Sequence, residues 1–150
     1  MPGSCPGGRR FESYPRYILH MNVNHLVSDT IARIKNGFTR HKSSILALKS
    51  KQTLSIMRIL EDEGFIKGYV EKDHQIEVCL KYFDNKSVIQ NIKVISKPGK
   101  RVYFNSKDLM HWKNETNSFE MLILSTTQGI LPDHIVLEKG IGGEVLCIVK

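Results

Sequence analysis

The C-terminal stretch, Phe119–Lys150, most constrains the fold, because two apolar runs in it enclose a polar segment and a helical pattern. The first run, ending at Leu124, has the length and composition of a buried strand. The following residues, Ser125–Gly129, are small hydroxyl and amide side chains that predict a loop. Pro132 suits the first turn of a helix, where its missing N–H costs nothing, and Gly140 is a typical helix end.

A second strand, Glu144–Val149, follows Gly142 and Gly143 and completes this pattern. If the two strands are neighbours in one sheet, the hydroxyl-rich loop and the glycine loop share one edge. Hydroxyls, backbone N–H groups and a helix N-terminus then form an uncharged hydrogen-bonding surface, which suits a sugar-phosphate backbone or a base edge. An ordinary capped strand–turn–helix would use the same residues, so this stretch alone leaves both interpretations open.

The net charge of the chain favours some classes of binding partner over others. The chain has 22 Lys and Arg against 15 Asp and Glu, a formal net charge of +7. A basic excess favours a polyanionic partner, although many basic proteins bind none. No apolar run has transmembrane length, so no membrane partner is expected. No Cys or His pair has metal-ligand spacing, so neither a metal nor a cofactor is expected.

Residues 1–21 differ in composition from the rest of the chain. Pro and Gly crowd the first eight positions, and Arg9, Arg10 and Arg16 provide an excess of cations. An arginine excess with little acid suits an organellar presequence, whereas the prolines and glycines make a poor amphipathic helix. A disordered tail, or an extension upstream of a start at Met21, fits the same residues.

Residues 22–84 predict an α-β-α-β-β domain. Gln75–Tyr82 has the clearest period of two in the chain, which indicates a strand with one buried face. That face comprises Ile76, Val78, Leu80 and Tyr82. The elements expected before it are a helix at 24–36 that ends at Gly37, a strand at 45–48, a helix capped by Ser50 that runs to Glu63, and a strand that starts at Phe65.

Residues 85–150 predict a second domain that is mostly β with short helices, after a polar break at Asp84–Lys86. The fold class expected for the chain is therefore α+β, with two small packed domains. The elements expected before the C-terminal stretch are a strand at 88–95, a basic turn at 96–101, a strand at 102–104, a helix at 106–112 capped by Ser106, and a polar connector at 111–117.

Several short motifs resemble the bacterial-type small-subunit ribosomal protein eight family. The loop S-T-T-Q-G and the tail G-I-G-G-E-V-L-C-I-V stand where that family usually has S-T-S-K-G and G-L-G-G-E-I-I-C-Y-V. Upstream motifs are R-I-K-N-G, E-D-E-G-F-I, L-K-Y and S-K-P-G-K-R. Each is weak alone, but together they cover most of residues 24–150 in family order and at near-family spacing.

The resemblance implies a non-enzymatic structural constituent of the small ribosomal subunit. Such a protein binds the central domain of small-subunit ribosomal RNA, supports its assembly beside neighbouring ribosomal proteins, and has no small-molecule substrate. Two alternatives stay open: an enzyme that binds a phosphorylated ligand at the C-terminal glycines, and a non-ribosomal nucleic-acid-binding module. The glycines are neither a P-loop nor a dinucleotide fingerprint. The expected location is the mitochondrion, with a plastid or the bacterial cytoplasm as alternatives.

The resemblance also implies which residues contact RNA. Ser125, Thr126 and Thr127 match the family loop whose hydroxyls and backbone do so. Gln128 stands where lysine is usual, which removes one cation and weakens the expected phosphate contact. Gly143 and Glu144 match tail residues that complete the RNA-facing surface. The cations expected to contact phosphates are Lys97, Lys100 and Arg101 on the basic turn, and Arg33, Lys35 and Lys51 in the N-terminal domain.

Overall fold

The computed structural model describes residues 23–97, 99–116 and 119–150, so the predictions for residues 1–21 lie outside the described residues. Two compact units divide between Val88 and Ile89. Helices and antiparallel sheets occur in both, which confirms the α+β class. The helices are α1 (Val23–Thr39), α2 (Lys51–Asp62), α3 (Ser106–Glu115) and α4 (Asp133–Lys139). The strands are β1 (Ser44–Leu48), β2 (Ile66–Glu71), β3 (Gln75–Leu80), β4 (Tyr82–Phe83), β5 (Lys86–Ser87), β6 (Ile92–Val94), β7 (Tyr103–Phe104), β8 (Met121–Thr126), β9 (Gly129–Pro132) and β10 (Gly143–Val149).

The first unit has the expected α-β-α-β-β order, followed by the short β4–β5 hairpin. Strand β3 lies at the centre of an antiparallel sheet with the order β1-β3-β2. Ile76, Val78 and Leu80 are almost fully buried, which confirms the predicted inner face of β3. Glu77 on the other face is buried too, and its carboxylate binds Lys72 Nζ at 3.1 Å and the Ser44 hydroxyl at 3.2 Å.

The predicted N-cap of α2 is confirmed, but the predicted end of α1 is wrong. The Ser50 side chain caps α2 by accepting the Thr53 N–H at 3.1 Å. Helix α1 continues through Gly37 to Thr39. A Cβ at Gly37 would lie 2.5 Å from Ile45 Cγ2 and 2.8 Å from Leu80 Cδ1. Gly37 therefore lets α1 pack closely on the sheet, and its role is steric rather than that of a helix terminator.

The β4–β5 hairpin occupies the region where the sequence predicts the domain boundary. Asp84 and Asn85 both have positive φ, of 53° and 61°, as a two-residue type I′ turn requires. Pairing of Phe83 with Lys86 keeps the residues after the turn in the first unit. The division after Val88 thus lies four residues beyond the expected boundary between 84 and 85.

The second unit is built around β10. Its sheet has the order β6-β10-β8-β9, and β7 also pairs with β10, beyond the end of β6. Helices α3 and α4 pack on one face of this sheet. The buried cluster between them consists of Leu109, Leu122, Leu124, Val136 and Val145.

The predicted loop at Ser125–Gly129 is mostly wrong, because β8 continues through Thr126 and β9 begins at Gly129. Only Thr127 and Gln128 form the turn between these strands. Pro132 is the residue before α4 rather than a residue within it. Gly140 ends α4 in the left-handed conformation at φ 66°, as predicted.

Three smaller predictions in this unit also need correction. The strand predicted at 88–95 is only Ile92–Val94. Helix α3 is capped by Asn105 rather than Ser106, since the Asn105 side chain accepts the Asp108 N–H at 2.8 Å. Most of the expected polar connector at 111–117 is helical, because α3 extends to Glu115.

Candidate nucleic-acid interface

A row of side chains crosses four strands of the second unit's sheet. Tyr103 on β7 lies opposite Glu144 on β10, Glu144 lies opposite Ser125 on β8, and Ser125 lies opposite Ile130 on β9. Directly opposed residues in antiparallel strands point to the same face. The row therefore places an aromatic ring, a carboxylate, a hydroxyl and an aliphatic side chain side by side. We call these four residues the sheet row.

The sheet row faces away from helices α3 and α4. Its neighbours along the strands, Phe104, Leu124 and Val145, pack in the cluster that those helices cover. Successive residues of a strand alternate between faces, so the row lies on the opposite side. Tyr103 is 64% exposed. An exposed aromatic ring on such a row is suited to stacking on a nucleic-acid base.

Gly143 lets β10 and β8 come together at this position. A Cβ there would collide with the Ser125 carbonyl oxygen and would lie 3.0 Å from Thr126 Cγ2. The sequence analysis expects Gly143 to help complete the RNA-facing surface, and the close contact with β8 gives a steric reason for a glycine there. The absent side chain allows the strand that carries Glu144 to lie close against the strand that carries Ser125.

The Thr126 hydroxyl closes the β8–β9 turn. It donates to the Gly129 carbonyl oxygen at 2.7 Å and accepts the Gln128 N–H at 3.1 Å. Its only proton is therefore already used within the protein. The hydroxyls of Ser125 and Thr127 have no hydrogen-bond partner within the described part of the chain. Of the three hydroxyls expected at RNA, two are open to a ligand and Thr126 shapes the turn that presents them.

A lysine from α4 meets the same turn. Lys139 Nζ donates to Gln128 Oε1 at 2.8 Å, and both side chains are exposed. Lys139 stands in the last turn of α4, just before Gly140. The cation that the sequence lacks at position 128 is thus present beside it, carried by a residue eleven positions later.

The basic turn leads directly into the sheet row. Lys97 and Lys100 exchange backbone hydrogen bonds of 3.0 and 2.9 Å, which closes a tight turn, and both side chains are exposed. The buried Ser96 hydroxyl accepts the Val102 N–H at 3.0 Å and so holds the base of the turn. Arg101 then pairs with Glu144 at 3.3 Å, which couples the turn to the row.

The Arg101–Glu144 pair lies partly in solvent, where an ion pair contributes only about 0–1 kcal/mol to stability. The Glu144 side chain is 15% exposed and that of Arg101 is 44% exposed. Glu144 thus reduces the net charge of the surface while it holds Arg101 beside the row. Lys97 and Lys100 have no ion-pair partner among the described residues.

The N-terminal cations lie in the other compact unit and have different surroundings. Arg33 binds Asp29 at 2.8 Å and the Leu46 carbonyl oxygen at 3.1 Å, so its guanidinium helps to join α1 to β1. Lys35 is exposed on α1, and Lys51 is exposed as the first residue of α2. The predicted site residues thus divide between nine in the second unit and these three in the first.

Three residues of this surface were not expected from the sequence: Tyr103, Ile130 and Lys139. The period of two in Val102–Phe104, just after the basic turn, could have indicated that Tyr103 faces outward. No local sequence pattern indicates Ile130 or Lys139, because their positions in the surface depend on strand pairing and on the packing of α4.

The arrangement has the chemistry of a binding surface. It combines free hydroxyls, an exposed aromatic ring and exposed ammonium groups, which can bind base edges, bases and phosphates respectively. The part of the chain that the structure describes has no cluster of three or more potential metal ligands. None of its helices is both long enough and apolar enough to cross a lipid bilayer.

Comparison with known proteins identifies the family. The model of the family described as ribosomal protein S8 matches residues 25–149. Proteins described as small ribosomal subunit protein uS8 from Azorhizobium caulinodans and Caulobacter sp. strain K31 are 40% and 43% identical to the chain over 134 residues. Each alignment covers 86% of this chain and 99% of the relative. The chain therefore belongs to the ribosomal protein S8 family.

Proposed function

We propose that this protein is a structural constituent of the small ribosomal subunit that binds the central domain of small-subunit ribosomal RNA. Its relatives carry the name of a small-subunit ribosomal protein rather than of an enzyme. Neighbouring ribosomal proteins are its further partners, and it supports assembly of the RNA domain. The binding surface comprises the sheet row, the β8–β9 turn and the basic turn.

The observation that carries this proposal is that the sheet row, with the open Ser125 hydroxyl, lies beside a cationic turn. Phosphate contacts position a protein on a nucleic acid, whereas directed contacts to bases provide specificity. Lys97 and Lys100 have the charge and exposure that phosphate contacts require. Ser125 has an open hydroxyl and lies between Glu144 and Ile130, which supports a contact to a base or a ribose. Lys35 and Lys51 add exposed cations in the other unit.

The test replaces Ser125 by Ala and measures binding to a central-domain ribosomal RNA hairpin and to a scrambled hairpin. Because the Ser125 hydroxyl has no hydrogen-bond partner among the described residues, its removal should leave stability unchanged. Because the proposed RNA contact buries this hydroxyl, its removal should weaken the free energy of binding to the cognate RNA by about 1–3 kcal/mol. Ser106→Ala is the matched control, since Ser106 is half-buried on α3 in the same unit.

Equal weakening of both RNAs by Ser125→Ala would contradict specific recognition by the row. The native protein should also sediment with small ribosomal subunits at moderate salt, and recovery only in free fractions would contradict the proposed function as a whole.

A DNA-binding module would instead bind duplex DNA as tightly as the RNA hairpin across a salt series, because backbone contacts alone carry little sequence information.

We further propose that the ribosome concerned is mitochondrial. The proposal is supported by the arginine excess and scarcity of acidic residues in residues 1–21. A fusion of residues 1–21 to a fluorescent reporter should accumulate in mitochondria, and intact-mass measurement of the native protein should find this segment removed. A fusion that stays diffuse in the cytosol or enters plastids would contradict the mitochondrial assignment.

A further inference from the structure

We propose that Lys139 supplies a phosphate-binding cation to the β8–β9 turn, and that Gln128 holds it there. This inference rests on the proposed RNA-binding function and adds a residue that the family motifs do not indicate. Gln128 stands where the family usually has lysine, and the sequence therefore predicts a weakened phosphate contact. The structure places an ammonium group at the same turn by another route.

The geometry fixes Lys139 to the part of the turn that carries the open hydroxyls. Lys139 Nζ donates to Gln128 Oε1 at 2.8 Å, and the Gln128 N–H donates to Thr126 Oγ1 at 3.1 Å. Thr126 in turn binds the Gly129 carbonyl oxygen. Lys139 is thus joined by two hydrogen bonds to the residue between Ser125 and Thr127.

The charge of Lys139 remains available to a ligand. An ammonium group has three N–H donors, and the amide of Gln128 occupies one of them. Gln128 is neutral, and no carboxylate lies within ion-pair distance of Lys139 among the described residues. Arg101 and Lys113 differ in this respect, because they pair with Glu144 and Asp133.

A purely structural role explains this contact less well. A hydrogen bond between two exposed side chains contributes little to stability, because both groups bind water equally well in the unfolded chain. Lys139 is already favoured at the C-terminal end of α4 by the helix dipole, with or without Gln128. What the contact adds is a defined position for an unneutralised positive charge at the exposed turn.

The test measures affinity for a central-domain ribosomal RNA hairpin as a function of salt. Loss of one phosphate contact should reduce the slope of log affinity against log salt by roughly 0.7–0.9. Lys139→Gln should show this reduction. The ratio of wild-type affinity to Lys139→Gln affinity should therefore fall by roughly threefold between 50 and 200 mM salt. Lys107→Gln, which removes an exposed cation from α3 in the same unit, is the matched control and should keep the wild-type slope.

A charge relocation completes the experiment. Adding Gln128→Lys to Lys139→Gln returns one cation to the turn itself and should restore the wild-type slope. If Lys139→Gln lowers affinity without changing the slope, Lys139 only positions the turn and the proposal is overturned. Failure of Gln128→Lys to restore the slope overturns it as well, because the lost contact would then lie elsewhere.

These outcomes are distinct from failure of the proposed function. If the protein does not bind ribosomal RNA specifically, the wild type itself will bind the cognate hairpin no more tightly than the scrambled hairpin. If it binds RNA but Lys139 takes no part, the wild type will discriminate between the hairpins and Lys139→Gln will match Lys107→Gln.

Discussion

Replacing Gly143 by Ala should damage both the sheet and the binding surface. The added Cβ would meet the Ser125 carbonyl oxygen and would lie 3.0 Å from the Ser125 carbonyl carbon and from Thr126 Cγ2. Two of these three atoms belong to the backbone of β8, so no change of side-chain rotamer can relieve the contact. The strands must separate locally, and overpacking of this kind costs about 1–3 kcal/mol.

The assay for Gly143→Ala is urea unfolding followed by RNA binding. The midpoint should fall without a change in the dependence of the unfolding free energy on urea, because the same surface becomes exposed. RNA affinity should be measured without denaturant, where the variant remains folded. It should fall too, because separation of β8 from β10 moves Ser125 away from Glu144.

Gly140→Asn is the matched control for this experiment. Nothing lies within 4 Å of a Cβ at Gly140, and its φ of 66° is one that asparagine tolerates better than most residues. It should lose under about 1 kcal/mol of stability and keep wild-type RNA affinity. If Gly143→Ala matches the wild type in both assays, the close approach of the two strands is not required for folding or for binding.

Two further predictions concern the core of each unit. Leu80→Ala should destabilise the protein by about 2–5 kcal/mol in urea unfolding, because Leu80 is 1% exposed. Lys67→Ala, which removes an exposed side chain from β2, should change stability by less than about 0.5 kcal/mol, and equal effects would place Leu80 outside the core. Burial raises the pKa of the Cys147 thiol to about 12, so the unfolded chain loses this proton first and stability should decline as pH rises from about 9 towards 12. Cys147→Ala should decline less steeply than the wild type over this range, and parallel curves would contradict a buried, protonated thiol.

Hydrophobic periodicity predicts those parts of the fold in which one face of an element meets the core. The alternation in Gln75–Tyr82 indicates the buried face of β3, and Ser50 marks the start of α2, because both signals are local. Gly37 shows the limit of such signals. Glycine usually ends a helix, but here its missing side chain makes room for Ile45 and Leu80, and only the packed sheet reveals that role.

Strand β9 could not be predicted from composition. It begins with Gly129 and ends with Pro132, and both residue types are depleted in strands. As β9 lies at the edge of the sheet, a proline that cannot donate to a neighbour is tolerated there. Pairing with β8 therefore overrides local preference, and it shortens the expected hydroxyl loop to the turn at Thr127 and Gln128.

The sheet row depends on an irregularity in β10 that no sequence pattern indicates. Val149, Ile148 and Cys147 pair in regular order with Met121, Leu122 and Ile123. If that register continued unchanged, Val145 would lie opposite Ser125. The pairing instead shifts by one residue between Val145 and Cys147.

The consequence of this β-bulge is that Glu144, not Val145, pairs with Ser125. A shift of one residue exchanges the two faces of a strand, so the bulge directs Val145 into the cluster beneath α3 and α4 and turns Glu144 outward beside Arg101. The apolar run of β10 alone would permit either register. The polar character of the surface is therefore fixed by one extra residue in a strand, together with the glycine at its start that lets β8 approach.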